Sequence, residues 1–349
     1  MFQRRLRRTS AFHLSAFLHP LPPMISRLLL CSLALASFGR AADVTLTALP
    51  DRVRVEIDGR LFTEYVHGDG ASRPYCYPIQ LADGTSLTRD FPMKETPGEE
   101  TDHPHHRALM FAHGDANKVD FWNEGKAGGN LPKGRTVHDG SLETSGGETG
   151  VLRTRNRWLS PDGTLIATDE TVLRFRDAGG GNRTLDYEVT IRALPDAPLV
   201  LGDSKEGTMA IRLAQWLVLP HKVKGQPVPG TGHILTATGD RDAAAWGKRA
   251  DWCDYSGPHG DKTYGVALFD HPQNLRHPTW WMARDYGLFA ANPFGQHEFE
   301  PDQKHPPGKG DHTIPAGGSL TLRYRFYFHT GDPEAAKVGD HYAAYAAGK

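Results

Sequence analysis

The chain has 349 residues, of which 38% are hydrophobic and 23% are charged. This composition is typical of a soluble globular protein and argues against a disordered chain or a polytopic membrane protein. Residues 1–41 contain six arginines and no acidic residue, and the rest of the chain has 34 basic and 41 acidic residues, a formal charge of −7. This acidic balance argues against a nucleic-acid partner, because binding to phosphates needs a basic surface.

The N-terminal segment is typical of an export signal. Residues 25–38 form a short apolar run that includes Arg27 near its start, and small residues follow at positions that predict cleavage after Ala41. The run is too short to cross a bilayer comfortably. We therefore expect residues 1–41 to be a signal peptide, with Met24 as an alternative start, and the mature protein to be periplasmic or extracellular with no transmembrane segment.

Apolar and polar residues then alternate as they do in antiparallel strands. Asp58-Gly59 lies between two alternating runs, which is the strongest short signal for a hairpin, and residues 160–163 separate a second pair of runs. An alanine-rich segment that begins with proline predicts a helix near the C-terminus. The predicted strands are 53–57, 61–66, 151–159, 165–176, 185–193, 209–218, 264–270, 287–291 and 320–329, and the predicted helix is 333–347.

These elements predict the fold class. Long antiparallel strands over a chain of this size favour two large sheets stacked face to face. No Gly/Ser-rich linker divides residues 42–349, so we interpret them as a single all-β domain. The prediction is a large antiparallel β-sandwich with a short C-terminal helix.

Two cysteines follow the predicted signal, Cys76 and Cys253. They could form one disulfide outside the cytoplasm or remain separate buried thiols. Their spacing matches no cysteine metal motif.

Residues 102–122 hold an unusual density of titratable groups around a short apolar run. The groups are four histidines, an arginine and three aspartates, namely His103, His105, His106, His113, Arg107, Asp102, Asp115 and Asp120. A merely structural strand has no need of such a set, so this stretch predicts one wall of a functional site. Imidazole titrates near neutral pH, and one of these histidines is therefore a natural proton donor.

The same histidines leave a metal site open as an alternative. In an extended strand, His103 and His105 share a face while His106 lies on the other, so the three converge only if the chain bends at Pro104. His113 and Asp115 could then complete a ligand set for a divalent metal. The spacing matches no fixed metal motif, so no cofactor is predicted.

A second cluster contains Lys205, Glu206 and Arg212. Glu206 is a candidate base or hydroxyl acceptor. Arg212 is a candidate for an anionic group such as a uronate, because the planar guanidinium matches a carboxylate. The alternative is a solvated loop, in which the adjacent Lys205 and Glu206 side chains lie on opposite faces.

A third cluster combines aromatic, acidic and histidine side chains, namely Trp252, Asp254, Tyr255, His271, His277, Trp280, Trp281, Asp285 and Tyr286. Aromatic rings stack on the apolar faces of sugars, while carboxylates and imidazoles bind the hydroxyl groups. This combination indicates carbohydrate recognition, although aromatic residues also fill the cores of β-proteins.

Several sequence blocks resemble the PmoA-like family of secreted bacterial proteins. They are residues 103–107 (HPHHR), 111–115 (FAHGD), 119–122 (VDFW), 202–207 (GDSKEG), 252–257 (WCDYSG), 277–281 (HPTWW) and 292–295 (NPFG). The family name refers to a methane mono-oxygenase subunit, which makes a metal-dependent oxidoreductase one alternative. That membrane enzyme has several apolar helices, and this chain offers no such segment after its signal.

The resemblance implies a galactose-mutarotase-like supersandwich, whose members bind or process carbohydrates. Our hypothesis is a secreted carbohydrate-active protein that performs general acid/base chemistry on a sugar or glycoside; a non-catalytic carbohydrate-binding protein is the other alternative. The candidate catalytic residues are His106 or His113 as acid and Glu206 or Asp254 as base. The candidate substrate-binding residues are His103, His105, Arg107, Asp115, Lys205, Arg212, Tyr255, His271, His277 and Trp280.

Overall fold

The long strands of the chain pair with one another, and the computed structural model arranges sixteen of them in two eight-stranded antiparallel sheets. The structure describes residues 42–125, 128–301 and 306–348. The predicted signal peptide, residues 1–41, lies outside the described residues. Ala41–Lys349 is one compact unit.

The first sheet has the strand order β1-β2-β3-β4-β5-β11-β18-β17. Asp58 and Gly59 join β2 to β3 with φ values of 49° and 71°, the left-handed conformations that a tight hairpin turn requires. The strands are β1 Val44–Ala48, β2 Arg52–Ile57, β3 Arg60–Val66, β4 Tyr75–Cys76, β5 Leu109–His113, β11 Gly207–Arg212, β17 Trp280–Ala283 and β18 Leu288–Asn292.

The second sheet has the strand order β14-β15-β16-β20-β9-β8-β7-β6. Residues 160–163 turn β7 back onto β8, as the second hairpin prediction expects. The strands are β6 Arg135–Ser145, β7 Gly150–Leu159, β8 Leu165–Gly179, β9 Asn182–Arg192, β14 His233–Thr236, β15 Trp252–His259, β16 Lys262–Asp270 and β20 Ser319–Thr330.

The remaining elements are short and lie outside the two large sheets. Among the described residues these are two small antiparallel pairs, two 3-10 helices and two α-helices: β10 Leu199–Leu201 with β19 His312–Ile314, β12 His221–Val223 with β13 Gln226–Val228, Gln215–Leu217, Asp242–Ala245, α1 Gln296–Phe299 and α2 Val338–Ala346. Residues of α2 pack on the outer face of the second sheet, against Phe269 and Tyr327. Among the described residues, none of the helices has the length and hydropathy needed to cross a bilayer.

The main core lies between the two sheets. Phe62 of β3 makes edge-to-face contacts with Phe175 of β8 and Phe328 of β20, at centroid distances of 5.9 and 5.7 Å. All three rings are fully buried, and each such side chain contributes about 1.5–3 kcal/mol through removal from water. Strand alternation supplies this core from one face of each sheet.

The first sheet is also covered on its other face. A second apolar cluster there includes Met110, Ala112, Trp122, Met282 and Ala290. As a result, β5, β11, β17 and β18 are buried along their whole length. The candidate functional site lies on this outer face of the first sheet, beside the second cluster.

The predicted fold class is confirmed: the chain forms large antiparallel sheets and ends in a short helix. The strand predicted over 209–218 is shorter, because β11 ends at Arg212, where its partner β18 begins. The helix predicted over 333–347 begins only at Val338, since Lys337 is left-handed with a φ of 52°. Strands β5 and β17 were not predicted from the sequence, and both are short segments that are buried on both faces.

Both cysteines after the predicted signal are buried and free. Cys76 lies on β4 of the first sheet and Cys253 on β15 of the second. Of the two alternatives that the sequence leaves open, the structure therefore has the separate thiols.

Candidate functional site

Two buried arginines hold the backbone of the histidine loop, which we define as residues 102–107. Arg89 donates from Nη2 to the carbonyl oxygens of the first two loop residues, at 3.0 and 3.1 Å. Arg73 donates from Nη1 to the carbonyl oxygen of His105, at 3.0 Å. Both arginines are almost completely buried. The loop is therefore bent and held in place. Because it is not an extended strand, its three histidines can lie on the same side.

His103 lies in a packed group of rings. Its imidazole is hydrogen-bonded to the Asp102 carboxylate, and its ring stacks on His106 at 4.8 Å and on Tyr286 at 5.3 Å. Burial alone would raise the pKa of Asp102, but the hydrogen bond to His103 and the Arg212 guanidinium hold that pKa below its usual range. Asp102 therefore stays ionised and orients the His103 ring.

His105 and His106 are buried beside one another, with ring centroids 4.3 Å apart. Burial, together with the Arg73 guanidinium, lowers the pKa of His105 to about 4. Burial also lowers the pKa of His106, and neighbouring positive groups including Arg212 add to this effect. The Nδ1 atoms of both histidines have no hydrogen-bond partner among the described residues. Both imidazoles are therefore neutral near pH 7.

Glu206 reaches the site because its backbone continues the pairing of β5 with β11. The Gly114 nitrogen donates to the Glu206 carbonyl oxygen at 2.7 Å. A Cβ at position 114 would lie only 2.8 Å from Glu206 Cβ and from Ser204 Oγ, so the close approach requires glycine. Burial raises the pKa of Glu206 despite the nearby charges of Lys205 and Arg284.

The turn between β17 and β18 supplies the third segment of the site. Gly287 closes this turn with a φ of 83°, and its nitrogen donates to the Arg284 carbonyl oxygen at 3.0 Å. The Arg284 guanidinium lies over the Trp246 ring at 4.0 Å and 6.0 Å from the Tyr286 ring. Burial raises the pKa of Tyr286, whose hydroxyl therefore stays protonated.

The three segments line one cavity of about 340 Å³, which we call the histidine cavity. Its lining residues are His103, Pro104, His105, His106, Asn123, Gly128, Lys205, Glu206, Met282, Arg284 and Tyr286. Five predicted site residues, His103, His105, His106, Lys205 and Glu206, are thus brought together. Arg284 was missed, because a lone arginine in a turn gives no sequence signal.

A larger cavity of about 610 Å³ lies on the outer face of the second sheet. Its charged walls are largely ion-paired: Arg176 and Arg325 share Asp186, and Arg323 binds Glu188. We favour the histidine cavity as the candidate site, because its polar groups converge and several of them lack partners.

Arg212 does not line the histidine cavity. It is 1% exposed and donates from Nη2 to Asp102 at 2.9 Å, while its guanidinium lies 4.6 Å from the Tyr286 ring centroid. Burial lowers the pKa of Arg212 to about 10. The prediction that Arg212 binds an anionic substrate group is therefore corrected: it supports Asp102 and Tyr286 from behind.

His113 and Asp115 lie away from the cavity. His113 is 1% exposed, donates from Nε2 to the Gly202 carbonyl oxygen at 3.0 Å and contacts Phe294. Asp115 binds Lys118 at 2.8 Å. The predicted roles of His113 as an acid and of Asp115 in substrate binding do not fit these positions, because β5 places His113 on the inner face of the sheet.

Asp254 and Tyr255 also lie elsewhere. Asp254 is fully buried on the outer face of the second sheet, where its Oδ2 is 2.7 Å from His329 Nε2. Tyr255 faces the core between the sheets, and its hydroxyl donates to the Arg284 carbonyl oxygen. A buried base on the opposite sheet cannot act in the histidine cavity, and Tyr255 only supports the turn that carries Arg284.

Two further candidates, His271 and His277, are engaged in contacts away from the histidine cavity. His271 packs against Tyr345, 5.2 Å between centroids, at the larger cavity. His277 lies between two carboxylates, Asp270 at 2.8 Å and Asp251 at 3.3 Å.

Trp280 and Arg107 lie on the same face of the first sheet as the cavity without lining it. The Trp280 indole donates to Glu300 at 3.0 Å, and Arg107 binds Glu124 at 3.1 Å. These contacts assign both residues to packing around the site.

The structure gives no support to a metal centre at the predicted histidines. Within residues 42–125, 128–301 and 306–348, no group of three or more His, Cys, Asp or Glu side chains is placed to hold a metal ion. His113, the residue that could have completed the set, faces the sheet interior. The metal-dependent alternative therefore has no ligand set in these ranges.

The buried histidines predict that stability falls in mild acid. Burial lowers the pKa of His113 to about 4, whereas an unfolded chain binds this proton below about pH 6.5. Between these values the unfolded state binds more protons, so stability is lost as pH falls, by up to about 1.4 kcal/mol per pH unit for each such group. Urea unfolding of wild type and His113→Gln at pH 7, 6 and 5 measures this slope, which we expect to be shallower in the variant.

The matched control for this measurement is His233→Gln, since His233 is exposed. It should leave the slope at its wild-type value. An equal slope in wild type and His113→Gln would contradict the assignment of a buried neutral imidazole at position 113.

The fold and the histidine cavity together define an antiparallel β-sandwich protein with a polar site on one face of one sheet. Residues 52–343 match the model of a family of unknown function, DUF6807. The chain belongs to this family. No match was found among curated proteins. The resemblance to the PmoA-like family is not among these findings and stays a prediction.

Two solved structures are similar to the chain at low identity. A polysaccharide lyase is 11% identical over 84% of this chain and 33% of the other, with a TM-score of 0.29, so the chain spans about a third of its length. A galactose mutarotase-like protein from Lactobacillus casei is 10% identical over 82% of this chain and 100% of the other, with a TM-score of 0.34. Likenesses this distant carry no argument about activity.

Proposed function

We propose that this protein is carbohydrate-active and performs general acid/base chemistry on a sugar or glycoside in the histidine cavity. The observation that carries the proposal is the convergence of His105, His106 and Glu206 on one cavity of about 340 Å³. Acid/base catalysis needs a proton donor and a proton acceptor in one site, and burial raises the pKa of Glu206 while it lowers those of the two histidines.

The pKa directions favour a different assignment of roles from the one predicted from sequence. His105 and His106 have lowered pKa values and are neutral near pH 7, so they are suited to accept a proton. Glu206 has a raised pKa and is suited to donate one to a ring or glycosidic oxygen. We therefore propose Glu206 as the acid and the two histidines as the basic side of the site.

The ring group at the cavity supports binding of a sugar. Tyr286 and His103 stack on each other and both line the cavity, so aromatic rings with polar edges form part of its wall, a composition that suits a pyranose with apolar faces and hydroxyl groups. We also propose that the protein acts in the periplasm or outside the cell, on the basis of the apolar run and small residues that end at Ala41.

The test is a screen of oligosaccharides for binding and for conversion to products. The products are separated by chromatography and identified by mass spectrometry. We expect wild type to convert at least one oligosaccharide, and His106→Gln to reduce turnover by about 10²–10⁴-fold while remaining folded by circular dichroism. Binding without conversion, equal in wild type and His106→Gln, would support the non-catalytic alternative instead. Failure to bind any carbohydrate would overturn the proposal.

A further inference from the structure

The histidine cavity contains two cations that no carboxylate neutralises by direct contact. Lys205 and Arg284 both line the cavity. In the part of the chain that the structure describes, neither side chain forms an ion pair within 4.0 Å. Glu206 is the acidic residue among the described lining residues, and burial raises its pKa.

Arg284 differs in this respect from every other arginine around the site. Arg73 and Arg107 both bind Glu124, and Arg89 and Arg212 both bind Asp102. Each of these four guanidiniums is therefore ion-paired with a carboxylate of the scaffold. Arg284 instead lies against the faces of aromatic rings, and its guanidinium has no ion pair among the described residues.

Burying a guanidinium N–H group of Arg284 without a hydrogen-bond partner is energetically unfavourable, and a bound ligand could supply that partner. The Nε of Arg284 is buried without a hydrogen-bond partner among the described residues, although the Trp246 ring at 4.0 Å fixes the plane of the guanidinium. An unpaired, partly buried cation is costly, and residues that carry such a cost are typical of ligand-binding sites. A planar guanidinium fixed in orientation matches the two oxygens of a carboxylate or a sulfate.

We infer that the histidine cavity selects an acidic sugar, with Arg284 and Lys205 binding its carboxylate or sulfate group next to Glu206 and the imidazoles of His105 and His106. This inference rests on the proposed function and adds the class of substrate. Burial is the main cause of the lowered pKa values of His105 and His106, and the Arg73 and Arg212 guanidiniums that add to it also favour an anion in the cavity. Arg284 takes the role that the sequence had suggested for Arg212.

The experiment compares matched acidic and neutral ligands by isothermal titration calorimetry. The probes are oligogalacturonate, oligomannuronate and oligoglucuronate, each beside its carboxyl-reduced form, and a sulfated galactan beside its desulfated form. We expect the acidic member of at least one pair to bind about ten- to a hundredfold more tightly, the range expected for charge-assisted hydrogen bonds. The pair that shows this difference identifies the anionic group.

Two variants locate the effect on the protein. Arg284→Gln and Lys205→Gln should each lower the affinity for the acidic ligand about tenfold or more and leave that for the neutral ligand within about twofold. If Arg284→Gln fails to fold, Lys205→Gln still tests the inference, because Lys205 is only partly buried and its replacement should disturb the fold little. Arg174→Gln on the outer face of the second sheet is the matched control and should bind as wild type does.

The outcomes separate this inference from the proposed function. Equal binding of acidic and neutral forms in every pair would overturn the acidic-sugar inference while the carbohydrate proposal stands. Acidic selectivity that survives in both Arg284→Gln and Lys205→Gln would overturn the assignment of these two residues. Absence of binding by every ligand would overturn the proposed function and this inference with it.

Discussion

Replacing His329 by leucine is expected to lower the free energy of unfolding by about 3–5 kcal/mol. His329 and Asp254 are both fully buried, and His329 Nε2 lies 2.7 Å from Asp254 Oδ2. The second ring nitrogen of His329 lies 3.1 Å from the Gly331 carbonyl oxygen, so both ring nitrogens have polar partners. Leucine would leave the Asp254 carboxylate buried without its partner. Chemical denaturation followed by intrinsic fluorescence measures the loss.

The control is the double variant His329→Leu with Asp254→Leu, which removes both polar groups together. Replacing a whole buried pair with apolar residues is often neutral, so we expect the double variant to recover at least half of the loss. A double variant as unstable as His329→Leu would indicate that altered packing, and not the unpaired carboxylate, causes the effect. Ligand binding in the histidine cavity should be unchanged, because this pair lies on the opposite sheet.

The sequence predicted the parts of the fold that follow from local patterns. The hairpin at Asp58-Gly59 and the long alternating strands β7 and β8 depend on turn chemistry and on one buried face, both of which are visible in the sequence. Strand β5 is buried on both faces and shows no alternation, and β6 lies at a sheet edge with most of its side chains exposed. Their pairing depends on distant segments, which local patterns do not encode.

The site was predictable only in part, for the same reason. The histidines of residues 102–106 and the Lys205-Glu206 pair stood out because titratable groups were concentrated there. The bend that brings them together depends on Arg73 and Arg89, whose buried hydrogen bonds to loop carbonyls give no sequence signal. Asp254 and Tyr255 of the third cluster were wrongly grouped with the site because strand β15 belongs to the other sheet, whereas Tyr286 of the same cluster does line the cavity.

Replacing Glu206 by glutamine is expected to lower kcat by about 10²–10⁴-fold on the oligosaccharide that wild type converts best. Glutamine keeps the size of the side chain and its ability to accept a hydrogen bond, but it has no dissociable proton. Substrate binding should change little, so the loss should fall on kcat more than on KM. Steady-state kinetics between pH 5 and 9 measure both quantities.

The pH profile distinguishes an acid from a residue that only binds substrate. Burial raises the pKa of Glu206, so wild-type activity should fall as pH rises through that value and the proton is lost. The residual activity of Glu206→Gln should lack this alkaline decline, while Glu170→Gln on β8 of the second sheet should keep the wild-type profile. A normal kcat for Glu206→Gln would overturn the assignment of Glu206 as the acid. Glu206 is the candidate because it is the carboxylate among the described lining residues, which also include His105 and His106.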